Sequence, residues 1–221
     1  MKPYYDDGQS VIHLGDCREL LPEIIAQYAD FKSNALVLTD PPYGINYEPT
    51  RRGNGSKMWG AERVRGDRTP FDPGHLFNFP SLVLFGANHY AHLLPPSGGW
   101  LVWDKTPNGV REGFFYSHAE LAWTNLSSLV SKYSLEWQGN LRNGEGFFHP
   151  TQKPVALMRW VIEKFAKAST IVVDPYMGSG TTLVAAKQLG RAGVGIEIEE
   201  RYCEIAAKRL SQEILPMNEA V

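Results

Sequence analysis

Apolar residues gather in short runs that end on polar or small residues, and amphipathic stretches follow several of these runs. SVIHLGD reads as a strand and CRELLPEIIAQYA after it as a helix. NALVLTD is a second strand. SLVLFGAN and GGWLVWDK are a third and a fourth, with HYAHLL as helical material between them. From about Gly113 to Gly139, aromatic and polar residues alternate in short runs, which predicts antiparallel strands. PVALMRWVIEKFAKA carries Val155, Met158, Ile162 and Phe165 on one helical face, with Pro154 where a first turn accepts it. STIVVD is a buried strand, TTLVAAKQLG a helix closed by Gly190, and GVGIEIE another strand. The last helix, RYCEIAAKRLSQEIL, sets Tyr202, Ile205, Ala206 and Leu210 on one stripe. Strands alternating with helices predict a doubly wound α/β fold with a mostly parallel sheet covered on both faces.

A length of 221 residues suits a single domain over 1–221. No apolar run approaches the roughly 20 residues of a membrane-spanning helix. The start, MKPYYDDGQS, lacks the basic-then-apolar layout of a signal peptide, so a cytoplasmic protein is expected. Cys17 and Cys203 lie far apart and read as reduced thiols, and no ligand cluster for a metal is visible. Net charge is −2, so a nucleic-acid partner would have to be met by a local patch. TRRGNGSKMWGAERVRGDR could supply one, with Arg51, Arg52, Lys57, Arg63, Arg65 and Arg68 against Glu62 and Asp67.

Chemistry is concentrated in two stretches. In IVVDPYMGSGTTLVAAKQLGRAGVGIEIEE, a strand runs into Asp174, then into a turn with Gly178, Ser179 and Gly180, and a later strand ends at Glu197. Glycines let backbone approach a ligand, and an acid some 20 residues on can accept hydrogen bonds from ribose hydroxyls. A Walker loop would need a lysine where Thr181 stands, and a dinucleotide fingerprint needs a third glycine. What remains suits a nucleoside without a pyrophosphate, such as S-adenosylmethionine. A tight strand-to-helix turn flanked by surface acids is the plainer reading of the same residues.

The other stretch is TDPPYG, where a strand ends in Asp40, Pro41, Pro42 and Tyr43. Two prolines hold this segment extended and stiff, and neither has an N–H to compete for the carbonyls of Asp40 and Pro41. Tyr43 would offer a ring face beside them. Such a pocket suits a planar ring with an exocyclic amine, whose hydrogens go to the Asp40 carboxylate and the Pro41 carbonyl. A proline-rich turn with a surface tyrosine is the alternative.

DPPYG, DPYMGSGTT and HPTQKPVALMRWVI together resemble the amino-group DNA methyltransferases that use S-adenosylmethionine, with the catalytic tetrapeptide ahead of the cofactor loop as in the permuted β class. The resemblance implies a seven-stranded Rossmann-like sheet in circularly permuted motif order. It implies that Asp40, Pro41, Pro42 and Tyr43 are catalytic. Asp174, Gly178 and Gly180 would surround the methionine end of the cofactor, and Glu197 would bind its ribose. Asp16 and Cys17 would contact its adenine, and Thr151 and Lys153 would close over its amino-acid end. His149 reads as structural. DPPY usually accompanies adenine N6 and SPPY cytosine N4, so Asp40 points to adenine. Cytosine N4 and an inactive nucleic-acid-binding relative remain the alternatives, while carbon-5 methylation lacks its Pro-Cys pair. The target base must leave the duplex, so the partner is double-stranded DNA, and the basic loop at about 50–70 is expected to be mobile and to order on it. At most a reduced target-recognition region is expected at about 113–148. Family precedent makes a homodimer plausible.

Overall fold

Both faces of the central sheet are covered, which is why its strands read as unbroken apolar runs rather than alternating ones. In Ala35–Thr39 every residue is buried, and successive side chains serve opposite faces. Ala35 and Val37 join a core with Leu21 and Ile24, while Leu36 and Leu38 join another with Leu157, Met158, Val161 and Ile162.

The computed structural model describes residues 2–27, 33–46, 65–96, 99–110, 117–137, 145–146, 148–149 and 151–212. Its strands are β1 (Tyr5–Asp6), β2 (Ser10–Leu14), β3 (Ala35–Thr39), β4 (Ser81–Phe85), β5 (Gly99–Asp104), β6 (Ala119–Thr124), β7 (Val130–Ser134), β8 (Ile171–Asp174) and β9 (Gly193–Glu197). Its α-helices are α1 (Cys17–Gln27), α2 (Val155–Phe165), α3 (Thr181–Gln188) and α4 (Glu200–Ser211). The stretch read as helical after β4 forms two 3₁₀ turns, Ala87–His89 and Ala91–Leu93.

Among the described residues the sheet holds nine strands in the order β1-β2-β9-β8-β3-β4-β6-β5-β7, against the expected seven. Its ends are slight: β1 is two residues long and β7 is an edge strand with every other residue exposed. β2, β9, β8, β3 and β4 run parallel. β6 is antiparallel to both β4 and β5, whereas β7 is parallel to β5. Of the antiparallel strands expected in this region, β6 is antiparallel to both its neighbours, while β7 joins β5 in parallel rather than pairing with β6. The reversal of β6 has a consequence for the site. A strand running against its neighbours begins where they end, so Ala119 pairs with Asp104 and Glu120 starts out at the carboxyl edge of the parallel strands.

α1 covers one face of the sheet and α2 with α3 the other, while α4 packs Cys203, Ala206 and Leu210 against Ile12, Met177 and Leu183. On α4 the buried stripe uses Cys203, and Ile205 is only half-buried. No helix among the described residues is long and apolar enough to cross a membrane.

Candidate active site

Parallel strands deliver the residues that follow them to one edge, and here that edge is acidic. Asp174, buried at the end of β8, accepts the Thr39 hydroxyl at 2.6 Å and the Tyr176 N–H at 3.2 Å, which ties the ends of β8 and β3 together. Burial pushes its carboxyl up to about 6 despite these bonds. Glu197 accepts the Gly178 N–H at 3.0 Å and the Glu199 N–H at 2.8 Å, and burial pushes it up to about 7. The Gly15 N–H donates to the Glu197 carbonyl at 2.9 Å, bringing Asp16 and Cys17 alongside. Asp16 accepts the Arg18 N–H at 2.9 Å at the start of α1. Cys17 is buried, 4.0 Å from His75 Nε2, and burial pushes its thiol up to about 11, so it stays protonated.

The loop between β8 and α3 turns through glycines in the left-handed region, Gly178 at φ +51° and Gly180 at φ +79°. A Cβ on Gly180 would come 2.7 Å from the Ala206 Cβ, and one on Gly178 would fill the space 3.6 Å beneath the His149 ring. That imidazole packs edge-on to Tyr202 with centroids 4.5 Å apart, and burial pushes it down to about 4, so it is neutral. Thr151 is exposed, and its N–H donates to His149 Nδ1 at 3.3 Å. Arg209 reaches from α4 to the Ser179 carbonyl at 2.7 Å and the Thr181 hydroxyl at 3.2 Å, with its guanidinium 4.9 Å above the Phe148 ring. A tight glycine turn under a neutral ring, flanked by a carboxylate with lone pairs to spare, fits a nucleoside carrying a cationic sulfur.

Beyond β3, Pro41 is buried and Pro42 half-buried. The Tyr43 hydroxyl donates to Asp40 Oδ1. Its ring is not bare: it stacks on His89 with centroids 5.0 Å apart and planes 14° apart, and it lies so close to Gly86 that any Cβ there would enter the ring. Lys153, from the HPTQKP stretch, directs its ammonium at Asp40 Oδ2 and also lies 3.1 Å from Glu120 Oε2. Glu120 in turn pairs with Lys105 at 2.8 Å. Burial works against the charge of Glu120, yet the two ammonium groups outweigh it and hold the carboxyl down at about 2. Burial likewise opposes the Lys153 charge, and its two carboxylates raise it to about 12. Asp40 is pushed up by burial, with Lys153 pulling the other way.

The catalytic and cofactor residues expected from sequence thus meet at one edge. Glu120, Lys105 and His89 were not among the expected residues. The available signal for Glu120 was a lone acid inside the otherwise apolar AELAW, whose direction in the sheet only tertiary structure reveals. Arg51, Arg52, Lys57 and Arg63 lie outside the described residues. Arg65 and Arg68 are exposed and flank Asp67, which is buried. The Asp67 carboxylate accepts the Gly44 N–H at 2.9 Å and its carbonyl the Asn46 N–H at 2.8 Å. Asp67, near the end of the basic segment, is therefore joined to the residues that follow Tyr43.

Residues 100–208 match the family model described as DNA methylase, N6_N4_Mtase. The Escherichia coli (strain K12) protein named "Putative methylase YubD" is 48% identical over 215 residues, spanning 89% of this chain and 88% of that protein. The crystal structure of the M1.HpyAVI–SAM complex is similar at a TM-score of 0.58 and 22% identity, over 90% of this chain and 99% of that one. The PvuII DNA methyltransferase (cytosine-N4-specific) is similar at a TM-score of 0.60 and 16% identity, over 97% and 91% of the two chains. The chain belongs to the N6/N4 DNA methylase family.

Proposed function

We propose that this DNA methyltransferase acts on N6 of an adenine flipped out of double-stranded DNA, and that it is of the permuted β class. The methyl donor is S-adenosylmethionine. The observation that carries the reading is the meeting of the Asp40–Tyr43 pair with Asp174 and Glu197 at one sheet edge, an amine acceptor beside a nucleoside site.

S-adenosylmethionine, when bound, would supply a sulfonium methyl group to the adenine amine and leave as a neutral thioether. Glu197 would accept the ribose hydroxyls, and Asp16 and Cys17 would flank the adenine ring of the donor. Asp174, Gly178, Gly180 and Thr151 would hold its methionine end, where neutral His149 would add no repulsion to a cation. Asp40 and the Pro41 carbonyl accept the amine hydrogens of the target base and so direct its lone pair at the methyl group. Tyr43 fixes the Asp40 carboxylate through its hydroxyl. The amine becomes acidic only after it has gained the methyl group, so a carboxylate of ordinary basicity can take its proton. Arg51, Arg52, Lys57, Arg63, Arg65 and Arg68 hold the phosphates of the duplex beside this crevice.

Incubation with radiolabelled S-adenosylmethionine and unmethylated DNA, followed by digestion to nucleosides, tests the reading. Label is expected in N6-methyladenine. Label in N4-methylcytosine would move the chain to the other chemistry of its family, and absence of label with donor bound would make it an inactive relative. Asp40→Ala should lower transfer by at least about 100-fold, the scale of a lost acid–base or orienting group, with donor affinity within about twofold.

A further inference from the structure

Four side chains form one line of alternating charge that ends at the catalytic motif: Asp40, Lys153, Glu120 and Lys105. They come from four separate stretches, following β3, preceding α2, within β6 and following β5. Lys153 and Lys105 are buried, and Glu120 Oε2 is sealed from solvent. The Lys153 ammonium also lies over the rings of Phe85 at 5.8 Å and Tyr43 at 6.0 Å, which leaves it little freedom to turn elsewhere.

We propose that Glu120 and Lys105 are positioning residues that act through Lys153, sharing its ammonium so that Asp40 is held in place yet remains able to take the proton of the methylated amine. The proposal rests on the reading of Asp40 as the amine acceptor, and it applies equally to an adenine or a cytosine amine. A carboxylate that owned a buried ammonium outright would be a very weak base, because an opposite charge within ~4–6 Å lowers a carboxyl by ~1–3 units. Here that ammonium is shared with Glu120, whose charge Lys105 in turn balances. Among the described residues, the other groups facing Asp40 are the Tyr43 hydroxyl, Tyr90 and Asp174. None of them carries a positive charge, so Lys153 is the cation whose sharing sets the balance. Glu120 is held ionised and Lys153 protonated. Burial, by contrast, pushes the Asp40 carboxyl up, towards taking a proton. Once the nitrogen–carbon bond has formed, the amine proton moves to the Asp40 carboxylate, giving a neutral acid and a neutral methylamino group, and the acid then returns the proton to water.

The test is the titration of Asp40 by ¹³C NMR of carboxyl-labelled protein, its signal identified by loss in Asp40→Asn. Wild type is compared with Lys153→Met, Glu120→Gln, Lys105→Met and Lys153→Arg, each checked for folding by its amide spectrum. Lys153→Met should move the Asp40 midpoint up by roughly 1 to 3 pH units, and Glu120→Gln should move it down. Lys105→Met should follow Lys153→Met in sign with a smaller shift, and Lys153→Arg should stay near wild type. The acid limb of the single-turnover rate should follow the same signs, with S-adenosylhomocysteine affinity within about twofold of wild type. Opposite signs from two variants that both disturb packing are what a structural role would not give. Shifts of the same sign, or an unmoved midpoint with weakened S-adenosylhomocysteine binding in Lys153→Met, would overturn the proposal and leave Lys153 to the cofactor. If wild-type protein methylates no DNA, the functional reading fails while the titration still decides the charge line.

Discussion

Glu197 is a carboxylate that the fold makes reluctant to ionise. Burial raises it to about 7 from an ordinary glutamate value of 4.5, even with two backbone N–H groups bonded to it. A folded-state value above the unfolded one means that the folded protein holds the extra proton between these two limits. Its contribution to stability is therefore complete below about 4.5 and lost as pH rises through about 7. Ligand binding should run the opposite way, because a ribose diol needs the ionised carboxylate to accept both of its hydrogens. S-adenosylhomocysteine affinity should rise roughly tenfold from pH 6 to pH 8 and then level off, with proton release near one per ligand at the acid end and vanishing at the plateau. Calorimetry in buffers of different ionisation enthalpy measures both quantities. Glu197→Gln should weaken binding and flatten the pH dependence; a pH dependence that survives in this variant would remove Glu197 from the ribose site.

At the scale of elements, α4 does more than cover the sheet. Arg209 crosses from its last turn to the glycine turn and to Phe148, so one side chain joins α4, the loop before α3 and the segment before α2. Arg209→Met keeps the length and apolar stem but loses the donors, leaving the Ser179 carbonyl and Thr181 hydroxyl without their partner. Such a loss costs about 1–3 kcal/mol, measurable by urea unfolding, and should weaken S-adenosylhomocysteine binding by about tenfold. Unchanged affinity in a destabilised variant would confine Arg209 to a structural role. This bracing illustrates what the sequence discloses and what it withholds. Asp40 follows β3, and β8 and β9 end in Asp174 and Glu197, and the rule that parallel strands present their ends at one edge was enough to bring these three together. Arg209 and Glu120 carried no such rule. The first looks like one more polar position on an amphipathic helix, and the second depends on β6 entering the sheet in reverse. The pairing of β7 with β5 rather than β6 was hidden for the same reason, since alternation along a strand records burial but not the direction of its neighbours.

Over the whole molecule the charge balance is −2, so no general field draws this chain to DNA, and attraction has to be local. The fold provides a place for it. Asp67 bonds to Gly44, Ile45 and Asn46, so the described residues on either side of the basic stretch meet beside the catalytic motif. Burial raises the Glu199 carboxyl, and Arg65, which is exposed, is near enough to pull the other way. Phosphates held there would run past the acidic edge without lying on it, while a base turned out of the stack would enter it. Each phosphate contact made by a cationic side chain releases counterions and steepens the salt dependence of binding by about 0.9 in log–log terms. Replacing Arg51, Arg52 and Arg65 by alanine should therefore reduce the slope for a duplex oligonucleotide by up to about 2.7, the sum for three such contacts. S-adenosylhomocysteine affinity should stay the same, since the arginines are assigned to phosphates. A slope equal to that of wild type would place the duplex on another face, and a parallel loss of S-adenosylhomocysteine affinity would reassign Arg65 to the ribose side of the crevice. The expected result, a shallower slope with the cofactor site untouched, would separate the grip on DNA from the chemistry that the sheet edge performs.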